Sequence, residues 1–112
     1  MFHLNQSERE FRNGDNGPKY LMKGPRVNFG IVRLNPGDTM AKHLHRTMEE
    51  NFYVMEGNPT FTIDGTELAA QPGDFIHVEP GEAHEIENRS DAPCLFVINT
   101  DPYIEAGDKV LL

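Results

Sequence analysis

The sequence predicts an all-β fold, a sandwich or barrel of short antiparallel strands. Three observations carry that expectation. First, six of the ten glycines and six of the eight prolines in the 112 residues fall in clusters with turn chemistry. They are Gly24-Pro25, Asn35-Pro36-Gly37-Asp38, Gly57-Asn58-Pro59, Asp64-Gly65, Pro72-Gly73-Asp74, Glu79-Pro80-Gly81 and Asp91-Ala92-Pro93; such residues preset the dihedral angles that turns require. Second, the runs between them are short and rich in β-branched and aromatic residues: VNFGIVRL, MAKHLH, ENFYVMEG, TFTI, ELAAQ, DFIHV, AHEIEN and CLFVIN. Third, no stretch after residue 25 sustains a helical period without a Gly or Pro.

Taken in order, residues 1–24 are polar, contain Asn13-Gly14-Asp15-Asn16-Gly17-Pro18, and read as an arm lying on the barrel or on a partner. Residues 25–112 form one barrel domain. Asp64-Gly65 between TFTI and TELAA is the strongest hairpin signal, because both positions tolerate the left-handed conformation of a two-residue turn. The final stretch, DPYIEAGDKVLL, ends in apolar residues suited to an edge strand or to covering one end.

Composition narrows the function classes. Ten Lys plus Arg against eighteen Asp plus Glu give a formal charge of −8. Nucleic acid is excluded as a partner, because phosphate contacts need a basic face; anionic lipid would be repelled. The single cysteine, Cys94, allows no internal disulfide and suits a reducing, cytoplasmic setting. Neither a signal peptide nor a membrane span is visible in the sequence.

The histidines carry the chemistry. Strand side chains alternate faces, so His43 and His45 project together, with Leu44 opposite. If Arg46–Glu49 makes a turn, Glu50, Phe52 and Val54 share one face of the next strand. In AHEIEN, His84, Ile86 and Asn88 share a face, while Glu85 and Glu87 point to solvent. Three imidazoles and a carboxylate inside a barrel make a poor core unless a cation takes their lone pairs. An N₃O set suits iron, manganese, nickel, copper or zinc.

Spacing adds a resemblance. Gly37-x₅-His43-x-His45-x₄-Glu50-x₆-Gly57 resembles the first motif of the cupins at every defined position, and Gly73 with Gly81-x₂-His84-x₃-Asn88 resembles the second. One departure is visible: the proline expected two residues before the second glycine is Glu79, with Pro80 beside Gly81. The resemblance implies a jelly-roll barrel, one divalent metal on His43, His45, Glu50 and His84, and a homodimer that in some members exchanges an N-terminal strand. Asn88 keeps parity with His84 and is expected to orient it. Glu49 is the rival carboxylate, yet it would leave one residue too many before Gly57.

Other residues read more plainly. His77, between Ile76 and Val78, is a surface histidine or supports the ligands from behind, and His3 is inert. Cys94, Tyr53, Met55, Phe61, Phe75 and Phe96 are barrel packing. Phe52, Met40 and Phe96 are candidate pocket walls. Tyr20, Tyr103 and His77 are acid–base candidates by residue type alone, and Arg33 and Arg46 would hold an anionic substrate. The expected function is an enzyme acting on a small oxygenated molecule at the metal, with dioxygenase chemistry placed first. A Lewis-acid sugar isomerase, epimerase or lyase is the alternative, and a metal-loaded binding module without turnover the third reading.

Overall fold

A computed structural model describes residues 1–112. Ten strands follow a single 3-10 turn at Gln6–Glu8: β1 (Gly17–Lys23), β2 (Asn28–Leu34), β3 (Thr39–His45), β4 (Glu49–Glu56), β5 (Thr60–Ile63), β6 (Thr66–Ala69), β7 (Phe75–Val78), β8 (His84–Glu87), β9 (Cys94–Asp101) and β10 (Lys109–Leu111). They make two five-stranded sheets, ordered β1-β2-β9-β4-β7 and β10-β3-β8-β5-β6. Every pairing is antiparallel. The expected all-β jelly roll is present. β5 and β6 form the expected hairpin, in which Asp64 (φ 46°) and Gly65 (φ 82°) are both left-handed.

Alternation sets the core. On β2, β4 and β9 every second residue is buried, among them Val32, Leu34, Phe52, Val54, Phe96 and Ile98. Phe52, Phe61 and Phe96 meet at centroid distances of 5.2 to 5.9 Å and fill the space between the sheets. The same alternation corrects the packing role expected of Tyr53, Met55 and Phe75. Tyr53 and Met55 lie on the face of β4 opposite Phe52 and Val54, and Phe75 opposite Ile76, so all three are exposed. With Phe29 and Val97 they give the β1-containing sheet an apolar outer face.

The first 24 residues are not a uniform arm. Residues 17–23 form β1, hydrogen-bonded to the chain's own β2 from Gly17↔Arg33 to Lys23↔Asn28. The C-terminal apolar residues supply the edge strand that the sequence suggested, β10, paired with β3.

Two of the motif positions explain themselves here. Gly57 has φ 78°, and a Cβ on it would stand 2.6 Å from the Pro93 carbonyl oxygen and 2.7 Å from the Cys94 Cα. Only glycine fits both the angle and the space. Gly37 donates its amide to the Asn88 carbonyl at 2.8 Å, and Asn88 donates its own to the Asp38 carbonyl at 3.0 Å. The start of the first motif and the end of the second are therefore one joint.

Candidate metal centre

β3 ends in His43 and His45, and the short connection through Arg46–Met48 starts β4 so that Glu50 turns inward. β8 pairs with β3 in the register that sets His84 opposite His43. All four side chains are buried. One ligand atom from each lies within 4.8 Å of the other three. The Glu50 Oε1 is 3.8 Å from His43 Nε2, 3.4 Å from His84 Nε2 and in direct contact with His45 Nε2.

The backs of the rings fix which nitrogen is free. His43 Nδ1 faces the Ala41 carbonyl at 2.7 Å and His84 Nδ1 the Glu82 carbonyl at 3.0 Å. A carbonyl only accepts, so the proton belongs on Nδ1 and the Nε2 lone pair points at the centre. His84 Nε2 is buried with no hydrogen-bond partner. Ligand–metal distances of about 2.0–2.2 Å place two ligands of one ion within the separations seen here. The residues fit a divalent cation on geometry, tautomer and unpartnered lone pairs alike.

Electrostatics point the same way. Burial alone drives the Glu50 carboxyl upward, yet pairing with His43, His45 and His84 overcomes it and holds the group well below the usual carboxylate range. Burial lowers His84, and its pairing with Glu50 outweighs this and raises it. The buried carboxylate therefore draws positive charge among the imidazoles, whether as protons or as a metal ion.

The structure separates the remaining candidates. Glu49, the rival carboxylate, points outward, 3.3 Å from His77 Nε2. His77 also meets Asn51 Oδ1 at 2.6 Å and Glu79 Oε1 at 3.0 Å, on the outer face of its sheet. His3 is exposed. Cys94 is packed in the core, and burial raises its thiol. The Asn88 side chain makes no hydrogen bond to His84. Its side-chain nitrogen donates to the carbonyls of Leu34 and Ala92, its oxygen accepts from Ser90, and Glu82 takes the orienting role. An asparagine at the joint of the two motifs satisfies backbone groups, which parity with His84 alone does not reveal.

A cavity of about 710 Å³ opens on His43, His45 and Glu50. Of the expected pocket walls, Met40 lines it, while Phe52 and Phe96 belong to the core. Of the acid–base candidates, only Tyr20 reaches it; Tyr103 packs against Gly24 instead. Burial raises the Tyr20 phenol, the Arg12 charge lowers it and the Glu50 charge raises it, the net direction being up. The cations lining the cavity are Arg12 and Lys109, not Arg33 and Arg46. Sequence reading also passed over Asp108, a buried acid on the cavity wall. It lies in a tail with no strand parity to follow, and its contacts are some 60 residues away in the chain.

Comparison with known proteins shows the family and the fold. A family model described as "Cupin domain" matches residues 30–99. Quercetin 2,3-dioxygenase from Bacillus subtilis is 42% identical over 48 residues, which cover 43% of this chain and 14% of that enzyme. Two further curated relatives are spanned over 50% and 74% of their own length. A Klebsiella pneumoniae protein with a double-stranded β-helix domain superposes with a TM-score of 0.82 at 21% identity, covering 99% of this chain and 96% of that one. A sugar phosphate isomerase from Silicibacter pomeroyi superposes with a TM-score of 0.74 at 25% identity, covering 94% and 83%.

Proposed function

The chain belongs to the cupin family, and from that premise we propose that it is a metal-dependent enzyme. It holds one divalent transition metal through His43, His45, Glu50 and His84 and converts a small oxygenated organic substrate in the adjoining cavity. The observation that carries this reading is the convergence of the four ligand atoms within 4.8 Å of one another. When bound, such an ion offers its remaining coordination positions to O₂, water or a substrate oxygen and polarises what it binds.

The chain's own residues supply the rest. Ala41 and Glu82 carbonyls hold two imidazoles in the ligating tautomer. Met40 and Ile98 line part of the cavity wall with apolar surface. Tyr20 keeps its proton at neutral pH and presents a donor to a substrate oxygen beside Glu50, with Arg12 near it. The oxygen-using reading comes first, supported by the similarity to quercetin 2,3-dioxygenase over 48 residues. A Lewis-acid isomerase or lyase is the second, favoured by the Tyr20 phenol and by the isomerase of like fold.

The test is metal analysis of protein purified without a metal-binding tag, followed by O₂ uptake with Fe(II) restored against diketones, thiols and catechols. Uptake dependent on one substrate class supports the first reading. Turnover without O₂ selects the second, and substrate binding without turnover reduces the protein to a binding module.

A second copy of the chain is the proposed partner of the outer face carrying Phe29, Tyr53 and Phe75, which is free of ionised side chains at its centre. Two chains of charge −8 meet there with least repulsion. A monomer mass by light scattering at tens of micromolar would refute it. The buried free thiol fits a reducing compartment such as the cytoplasm. No helix is long and apolar enough to cross a membrane.

A further inference from the structure

Of eighteen acidic residues, only Glu50 and Asp108 are buried. Burying a carboxylate costs several kcal/mol unless its oxygens are bonded, so the surroundings of Asp108 show what it is for. Its Oδ1 accepts the Thr47 amide at 2.8 Å and its Oδ2 the Met48 amide at 3.0 Å. Its backbone carbonyl accepts the Arg46 amide at 2.9 Å. All three donors lie in the connection that joins His45 to Glu50.

The same carboxylate faces a ligand. Asp108 Oδ2 is 3.6 Å from His45 Nδ1, a buried nitrogen with no hydrogen-bond partner. The corresponding nitrogens of His43 and His84 have carbonyls of their own. Asp108 therefore stands behind the one imidazole whose back is otherwise unattended. Its negative charge favours a proton on Nδ1 and a lone pair on Nε2. The next residues, Lys109, Val110 and Leu111, pair with His45, Leu44 and His43 along β3.

We propose that Asp108 is a positioning residue for the metal centre, through which metal loading and docking of the C-terminal segment reinforce each other. This rests on the metal reading above. If the docked segment raises metal affinity, the metal stabilises the docked segment by the same factor.

Co(II) is the probe, with affinity measured by visible absorption against a competing chelator and hydrogen exchange followed in the same samples. In the wild-type chain, Co(II) slows exchange in residues 107–111. Asp108→Asn keeps one acceptor oxygen for the connection but loses the charge, and its Co(II) affinity falls about 10–100-fold. Asp108→Ala loses at least as much, and its Thr47 and Met48 amides exchange faster even in metal-free protein. In both variants, Co(II) protects the C-terminal segment less than in the wild type.

Affinity within twofold of wild type in Asp108→Asn overturns the proposal, whatever Asp108→Ala does, because the carboxylate is then only a cap for the backbone. If Asp108→Ala does not fold, Asp108→Asn decides alone. Failure of the wild-type chain to bind Co(II) would instead sink the metal reading itself.

Discussion

His84 lies inside the barrel and His77 on its outer face, and each has a carboxylate for a neighbour. His77 is one-third exposed, with Glu49 at 3.3 Å and Glu79 at 3.0 Å, and both of its ring nitrogens are engaged. His84 is buried beside His43, His45 and Glu50, and its Nε2 has no hydrogen-bond partner. Residue types are nearly the same at the two places. What differs is whether water can complete the hydrogen bonds. On the outer face a histidine–carboxylate cluster is satisfied by itself and by solvent, and is worth little. Inside, the same groups leave lone pairs with nothing to accept, and a cation is the economical solution.

The contrast can be broken by substitution. The largest effect is expected from His45→Ala combined with His84→Ala: metal content in purified protein falls to background by elemental analysis. Unchanged metal content and unchanged melting temperature in that pair would remove the inner site. Next, Glu50→Ala should weaken Co(II) retention by at least a hundredfold while Glu49→Ala stays within twofold; equal losses would mean the wrong carboxylate faces the histidines. Chelation should lower the melting point of the wild-type chain, since metal at 100 times its Kd stabilises by about 2.7 kcal/mol. It should leave Glu50→Ala unmoved.

Acidity sharpens the same comparison. Ligating imidazoles must be neutral, and pairing with Glu50 already favours a proton on His84, so bound Co(II) should be released as pH falls. Dialysis at stepped pH would show retention rising with pH instead of falling. The smallest effect belongs to the outer face, where His77→Gln should shift stability by less than about 1 kcal/mol in chemical denaturation. A larger loss would show that the exposed cluster is more than a solvated surface.

The inner cluster was legible in the sequence because two simple periods fix it. Alternation put His43 with His45, Glu50 with Phe52, and His84 with Ile86, and motif spacing chose Glu50 over Glu49. Alternation should also have warned that Tyr53 and Met55 oppose Phe52 and Val54; their apolar character hid the exposed face they occupy. Contacts made by irregular segments were the ones missed. Asp108 bonds to Thr47 and Met48 from a tail without period, and Arg12 reaches the cavity from a turn preceding β1. Asn88 has the parity of His84, yet its hydrogen bonds go elsewhere. Its bonds run to Leu34, Ala92 and Ser90, a set that only the finished joint brings together.

That joint has a temporal side. His43, His45 and Glu50 sit in one stretch of chain, on β3 and β4 of opposite sheets joined by one short connection, so three ligands are close neighbours in sequence before the sheets are complete. His84 arrives only when β8 finds its register on β3 and the amides of Gly37 and Asn88 exchange bonds with their distant partners. Closing such long loops is slow compared with forming local turns. An emerging chain thus offers an incomplete, loosely selective cradle before it offers a finished one. Which ion is at hand during synthesis can then decide what becomes locked beneath the last strand.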